Sequence, residues 1–569
     1  MEVHQHFGDP SLVITYRHLL SHNLGVRDPL RIVALCDSDA FYAACEMVRL
    51  GTAEDTPLVV LQWDSIIAVN YPARKYGISR MSKVKDALQK CPHLQVVHVA
   101  TYKEGAKEPG YWDDVDTKTH KVSLDYYRRE SLKVAAKFKD LLPGCEIEKA
   151  SIDEAFIDFT KRAKELILER HPYLANPPPE GLDSPLPPPP SISWDGIGHL
   201  IPSIDEGQLF EEGKPVEEMS VSWHDVALSI SAELMQTARQ EVLKTLGYST
   251  SAGIARNKFL AKLSASDKKP NNQSILRNSV IPYYLKPLPF QKIRYLGGKL
   301  GMAIAKEYEA STDMQKSFGE QAIWVWEVLR GIDRSEVKEK TSQNKSMMAS
   351  KNLPKPIVDA KDGYHWIRVL AAELALRLND ARKQDPRIWP KAIVLHARKG
   401  YEAARSKQAP FPFVRDLTVD IIANHGDRLW RELVGNAQSV HVSAVQLSFS
   451  GIEASEAGQR QIEDFLQGAK RTRVEDEASE GLSFTCSRCG KVIRQTDSIR
   501  SGEGSEADPL VKLRMEHDDF HYAQDLAKAD NRMVLTPDSA GERPRPAKKK
   551  KENAERQGIE RFFGRKASD

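Results

Sequence analysis

The stretch Ser151-Ile152-Asp153-Glu154-Ala155-Phe156 places two adjacent carboxylates between apolar residues of strand character. Upstream, the apolar run Arg31-Ile32-Val33-Ala34-Leu35-Cys36 ends on Asp37. Three carboxylates at the ends of two strands predict a divalent-metal site, because converging like charges repel unless a cation holds them. Hard cations such as Mg2+ take oxygen ligands and keep room for substrate phosphates. A pair of such ions can stabilise both the attacking and the leaving oxygen of an in-line phosphoryl transfer. Asp37 and Asp153 stand 116 positions apart, so a sheet has to bring them together. Taken alone, an Asp-Glu pair at a hairpin bend is more often turn chemistry.

Working outward, Ala43–Leu50 reads as a helix stopped by Gly51, and Leu58–Gln62 with Ile66–Val69 reads as a hairpin. Tyr71-Pro72-Ala73-Arg74-Lys75-Tyr76-Gly77-Ile78-Ser79-Arg80 gathers aromatic and basic residues in a turn-rich segment. Val122–Leu142 is expected to be helical, and Glu146–Phe159 to form two strands with Asp153 and Glu154 at or near the bend. Residues 172–202 hold ten prolines and read as a loop or insertion. Trp223–Leu246 carries Val226, Ile230, Leu234 and Ala238 at helical spacing, with Gly247 as its cap. A small-residue strand, Ser249–Ile254, precedes a basic helix, Asn257–Lys262. Pro287–Gly331 is expected to be mostly helical, and Gly297, Gly298 and Gly301 would let backbone N–H groups approach a phosphate. Lys338–Asn352 reads as a polar link. Beyond it, helices are expected near Gly363–Lys383 and Val419–Leu433, with strands near Lys391–Arg398 and Val440–Ser450.

The chain has 569 residues, which predicts several domains. No run of about 18 apolar residues predicts a membrane span, and Met1–His6 lacks the pattern of a secretion signal. Cys36, Cys45, Cys91 and Cys145 read as reduced core residues, whereas Cys486 and Cys489 form a CxxC pair. Net charge is only +3, but Thr341–Ile452 carries 17 Lys/Arg against ten Asp/Glu, and Arg543–Lys566 carries ten against three. Such basic segments suit a polyanionic partner.

Asp37-x-Asp-Ala-Phe-Tyr, Tyr71-Pro-Ala-Arg74, Ser151-Ile-Asp-Glu-Ala and Ser251-Ala-Gly-Ile-Ala-x-Asn-Lys with Lys269-Pro-Asn resemble, in that order, the Y family of translesion DNA polymerases. The resemblance runs from about Arg31 to Ile452, with the eta branch nearest. It implies a multidomain α/β and α+β fold shaped as a right hand. An N-terminal extension (1–30) would precede palm (31–50), fingers (51–105) and palm again (106–246, with the insertion 172–202). Palm edge and thumb (247–338), little finger (339–452), a linker (453–480), a ubiquitin-binding zinc finger (481–530) and a disordered tail (531–569) would follow.

The resemblance assigns Asp37, Asp153 and Glu154, with the Ser38 carbonyl, to two Mg2+ ions. It assigns Phe41, Tyr42, Gln62, Tyr71, Arg74, Arg80 and Lys269 to the incoming nucleotide. Tyr42 would lie beneath the sugar and exclude a 2′-hydroxyl; the eta branch commonly has Phe there. Gln62 and Arg80 would lie over the templating and incoming bases, and Glu46 would be support near the metals. Primer-template DNA and deoxynucleoside triphosphates are the implied substrates, with no separate proofreading segment.

In the tail, Cys486 and Cys489 with His517 and His521 have zinc-ligand spacing at each end, separated by 27 residues. His517-Asp-Asp519-Phe-His521 resembles the ubiquitin-binding finger of the eta branch, with Asp519 as its exposed acid. Arg543–Lys551 resembles a nuclear import signal. Ile559, Phe562 and Phe563 resemble a sliding-clamp-binding peptide, although Gln557 stands one position late. The expected location is the nucleus. Two other readings stay open: a kappa- or iota-like branch, and a non-catalytic scaffold for clamp and ubiquitin.

Overall fold

The computed structural model describes residues 13–22, 24–201, 221–286, 288, 293, 320–339, 345–435, 439–454, 483–490, 492–494 and 517. Two compact units divide at residue 457.

In the first unit the strands are β1 (Val33–Ser38), β2 (Leu58–Gln62), β3 (Ser65–Val69), β4 (Gln95–His98), β5 (Thr101–Tyr102), β6 (Lys121–Val122), β7 (Glu146–Lys149), β8 (Glu154–Asp158), β9 (His199–Ile201), β10 (Thr250–Ala255), β11 (Gln273–Leu276), β12 (Ser346–Asp359), β13 (Ile388–Arg398), β14 (Arg405–Pro410) and β15 (Ser439–Ala454). The principal helices are α1 (Phe41–Leu50), α2 (Asp125–Leu141), α3 (Thr160–Arg170), α4 (Trp223–Leu246), α5 (Lys258–Ser264), α6 (Asp362–Gln384) and α7 (Val419–Val434).

The central six-stranded sheet has the order β7-β8-β1-β10-β11-β9. β1 is antiparallel to both neighbours, and β10, β11 and β9 run parallel. Side chains alternate between sheet faces. Ala34 and Cys36 enter one core with α1, α2, α3 and α4, whereas Val33, Leu35 and Phe156 enter another with Leu260 and Ala261 of α5. Asp37 and Glu154 follow the parity of Leu35 and Phe156, so the fold aims both carboxylates at the α5 side.

Local chemistry explains the boundaries. Ser222 caps α4 and shares a reciprocal capping box with Asp225, and Gly247 closes the helix at φ 75°. α1 ends on Gly51 in the same left-handed region. The Asn257 side chain accepts from Leu260 N at 3.0 Å to start α5. Gly253 has a packing reason: a Cβ there would stand 2.1 Å from the Ala261 carbonyl and 2.2 Å from Ala265 N. The backbone of α5 therefore lies directly on β10.

β2, β3 and β4 form a separate small sheet with its own core around Val59, Ile66 and Ala87. The expected hairpin is β2–β3, and β4 joins β2 in parallel. A third layered body contains β12-β15-β13-β14 backed by α6 and α7.

Two expectations are corrected. Residues 176–198 are largely loop, as expected, but the run is tied into the body rather than hanging free of it. It leads into β9, the sheet's edge strand, and residues 182–186 bond to the chain near a short helix, Tyr16–Leu20. Trp223 Nε1 donates to the Pro187 carbonyl at 2.6 Å, and Arg17 grips Asp183 at 2.5 Å. Proline removes backbone donors without removing acceptors, so a proline-rich run can still be held by its carbonyls. Residues 13–22 are accordingly part of the body, with Tyr16 and Leu19 buried. The second correction concerns the polar link at 338–352, of which Ser346–Asn352 belongs to the long strand β12. Its inward set is Met347, Ala349 and Lys351, and a buried lysine broke the apolar alternation that marks a strand.

Among the described residues no helix is long and apolar enough to cross a membrane. The second unit has a two-stranded ladder, β16 (Ser483–Thr485) with β17 (Val492–Arg494). Gly297, Gly298, Gly301, Asp519, His521, Arg543–Lys551, Ile559, Phe562 and Phe563 lie outside the described residues.

Candidate active site

Three carboxylates meet where β1 ends and β8 begins. Asp37 is the register partner of Glu154 on one side and of Ser251 on the other. Asp153 occupies the bend before β8, and its carbonyl accepts from Ser38 N at 2.9 Å. Ser151 builds that bend. Its hydroxyl donates to the Asp153 carboxylate at 2.6 Å and accepts from the backbone N–H of Asp153 and Glu154 at 3.3 and 3.1 Å. A hydrogen bond from Ser131 of α2 to the Ile152 carbonyl ties the bend to the helical layer.

Two lysines face this cluster. Lys269 Nζ lies 2.6 Å from Asp37, and Lys262 Nζ donates to both oxygens of Glu154 at 2.6 and 2.8 Å. Burial raises the Asp37 carboxyl above its usual range; Lys269 opposes the rise, and the charges of Glu154 and Asp153 add to it. The site is thus negative, partly desolvated and self-repelling. Its carboxylates supply oxygen donors alone, from separate strands, which fits hard divalent cations.

Asp39 is part of the scaffold. Its carboxylate accepts from Ser251 Oγ at 2.7 Å and from Asn271 N at 2.8 Å. Arg239 reinforces the same loop through the Thr250 carbonyl at 2.6 Å and Asn271 Oδ1 at 3.3 Å. These contacts fix the segment carrying Lys269. The sequence reading gave no role to Lys262, Asp39, Tyr127 or Arg239. The basic helix was visible, but only the register of β8 against β1 shows what Lys262 faces.

The other expected residues fall into two groups. Tyr71, Arg74 and Lys269 face one neighbourhood: burial raises the Tyr71 phenol, and it feels Asp39, Arg74 and Lys269. Arg74 packs 4.2 Å over the Tyr71 ring and donates from Nε to the Val69 carbonyl at 3.1 Å. Tyr42 is half-buried, with its phenol raised by burial and by Asp153, and lowered by Arg128 and Arg80. Gln62 ends β2 opposite Ser65, and Arg80 is exposed. Phe41 is buried in the core against Tyr248, so its side chain is turned away from solvent. Glu46 is fully buried, and both of its oxygens are engaged by Tyr127, Tyr111 and Arg49. It is buried support for the aromatic rings of Tyr127 and Tyr111.

In the second unit Cys486, Cys489 and His517 bring their ligand atoms within 4.8 Å of one another, and Cys489 Sγ lies 3.2 Å from His517 Nε2. Thiolates and imidazole are zinc donors. The ladder β16–β17 holds the CxxC turn between its strands.

Together, the carboxylates at the end of β1 and the start of β8 and the two facing lysines make a sheet-borne cluster able to hold a divalent cation and to offset phosphate charge. Over residues 36–266 the sequence matches the impB/mucB/samB family, and over 344–463 the C-terminal domain of that family. The two matches cover more than half of the chain, which belongs to this family, the Y family of DNA polymerases. It is 31% identical to N-acetyltransferase eso1 of Schizosaccharomyces pombe over 92% of this chain and 65% of that protein. It is 29% identical to DNA polymerase eta of Saccharomyces cerevisiae over 68% of this chain and 70% of the relative. Against DNA polymerase eta of Arabidopsis thaliana it is also 29% identical, over 67% and 54%. The chain therefore spans between about half and 70% of these relatives.

Proposed function

We propose that this protein is a template-directed DNA polymerase of the translesion class, which extends a primer opposite damaged bases such as UV-linked pyrimidine pairs. The observation that carries the reading is the cross-strand pairing of Asp37 with Glu154, beside Asp153 and faced by Lys269. Similarity to relatives named DNA polymerase eta supports the lesion class. In this reading the six-stranded sheet is the palm and β2–β4 the fingers. The helix Glu320–Leu329 belongs to the thumb, and β12–β15 with α6 and α7 form the little finger.

Asp37, Asp153, Glu154 and the Ser38 carbonyl would hold two Mg2+ ions, which supply charge at the attacking and leaving oxygens when bound. Nucleotidyl transfer joins the primer 3′-oxygen to the α-phosphorus and releases pyrophosphate. Arg74 and Lys269 offset charge on the triphosphate, and Tyr71 bounds it. Tyr42 lies under the sugar and leaves no room for a 2′-hydroxyl. Gln62 and Arg80 bear on the base pair, and no group on the described surface is assigned to proofreading. The basic little finger holds duplex backbone without reading sequence.

The tail recruits the enzyme in the nucleus. Cys486, Cys489, His517 and His521 would hold Zn2+, which orders the segment when bound. Asp519 then meets ubiquitin, and Ile559, Phe562 and Phe563 meet the sliding clamp. Two weak linked contacts raise effective concentration.

Primer extension across a thymine dimer tests the activity. The full-length chain should insert two adenines and continue, and Asp153→Ala should abolish extension while clamp binding persists. Extension by the mutant at the normal rate would sink the metal-site assignment. Stalling of the normal chain at the dimer would instead favour a kappa- or iota-like branch.

A further inference from the structure

Glu46 lies on α1 one turn beyond Tyr42 and is 0% exposed. Its Oε1 accepts from Tyr127 OH at 2.7 Å and Tyr111 OH at 2.9 Å, and its Oε2 from Arg49 Nε at 2.7 Å. A buried carboxylate so surrounded has one stable arrangement, because losing a partner would leave charge unpaired.

Tyr127, on α2, is 1% exposed, and its ring stacks on Tyr42 with centroids 4.2 Å apart and planes 15° apart. Tyr126 donates to the Cys45 carbonyl at 3.0 Å, which ties α2 to α1 beside the stack. Burial, followed by the Glu46 charge, raises the phenols of Tyr127 and Tyr111, so both remain protonated donors. The Tyr42 ring thus rests on a ring that is itself pinned by a buried anion.

We propose that Tyr127 and Glu46 are positioning residues for sugar discrimination: they set the height of the Tyr42 ring and so the exclusion of a 2′-hydroxyl. This rests on the reading of Tyr42 as the surface beneath the sugar. A ring in contact excludes a hydroxyl only if it cannot sink. Here sinking is opposed by a parallel ring whose own hydroxyl is held. The class of ligand affected is the ribonucleoside triphosphate.

The test is single-nucleotide primer extension by the full-length chain, with a deoxynucleotide or its ribonucleotide counterpart opposite an undamaged template. The ratio of the two efficiencies is read within each variant, so a general loss of activity cancels. Tyr42→Ala should raise the ribonucleotide share. Tyr127→Leu, which removes stack and hydroxyl, should raise it roughly tenfold. Tyr127→Phe keeps the ring, removes the Glu46 bond and should raise it about threefold; this variant also serves if the leucine form does not fold. If both Tyr127 variants keep the normal ratio while Tyr42→Ala raises it, the proposal is overturned and the Tyr42 reading stands. If Tyr42→Ala leaves the ratio unchanged, the Tyr42 reading falls, and the proposal falls with it.

Discussion

Lys262 Nζ bridges both carboxylate oxygens of Glu154 at 2.6 and 2.8 Å. The lysine holds the place of positive charge at a site built to attract it. Lys262→Met removes that counter-charge from a partly buried pair, an effect of about 1 kcal/mol. Without divalent metal the variant should melt a few degrees lower. Added Mg2+ should narrow the gap, because the ion supplies the missing charge. Thermal melts with and without Mg2+ check this, and a gap independent of Mg2+ would mean that Lys262 does not share Glu154 with a cation.

Gly253 lets α5 lie on β10, with the Ala261 carbonyl 2.1 Å from where a Cβ would stand. The contact is backbone, which cannot rotate aside. Gly253→Ala should lower stability by about 1–3 kcal/mol and displace Lys262 and Lys269 together. Urea unfolding would show the first effect. A raised Michaelis constant for the nucleotide in the remaining folded enzyme would show the second.

Lys351 of β12 reaches out of its own sheet. Its Nζ donates to the His120 carbonyl at 2.6 Å and lies 4.6 Å over Trp63 and 4.8 Å over Trp366. Burial, aided by the charge of Lys121, lowers its pKa to about 8. The unfolded chain, with its ordinary value of 10.5, binds more protons between these limits. By linkage, stability therefore gains from this group as pH rises through about 8 towards 10.5. Below about pH 8 the charged amine carries its full desolvation penalty. Relative to Lys351→Met, the normal protein should gain stability across that window; parallel melts from pH 7 to 10.5 compare the two, and parallel curves would contradict the lowered pKa.

Cys486, Cys489 and His517 already stand within 4.8 Å of one another. The full-length protein should carry one zinc per chain by elemental analysis, and Cys486→Ser should carry none while keeping primer extension. Asp519→Ala should keep zinc and lose ubiquitin binding. Zinc retained by the serine variant would show that another ligand set holds the ion.

Much of the site was legible because its chemistry is local. Ser151 and Asp153-Glu154 form one turn, Tyr71 and Arg74 lie within a single short helix, and α4 starts and stops on the residues its pattern announces. The misreadings came from long-range partners. Residues 172–201 look like an unattached proline-rich loop until Arg17, Trp223 and the edge of β11 hold them. Ser346–Asn352 looks like a link because its inward Lys351 is satisfied by His120, 231 positions away. Glu46 reads as structural support from its spacing, and only the fold shows which groups it holds, Tyr127 and Tyr111.

The amino-acid order by itself determined which residues carry charge, where most helices and strands begin, and the series of motifs that marks the family. Those are matters of side-chain chemistry and short-range periodicity. Which charges meet was decided by tertiary structure alone. The β1–β8 register puts Asp37 opposite Glu154, and the bare backbone of Gly253 lets α5 bring Lys262 onto it. Electrostatic interaction depends on distance and burial, and neither is a property of position along a chain.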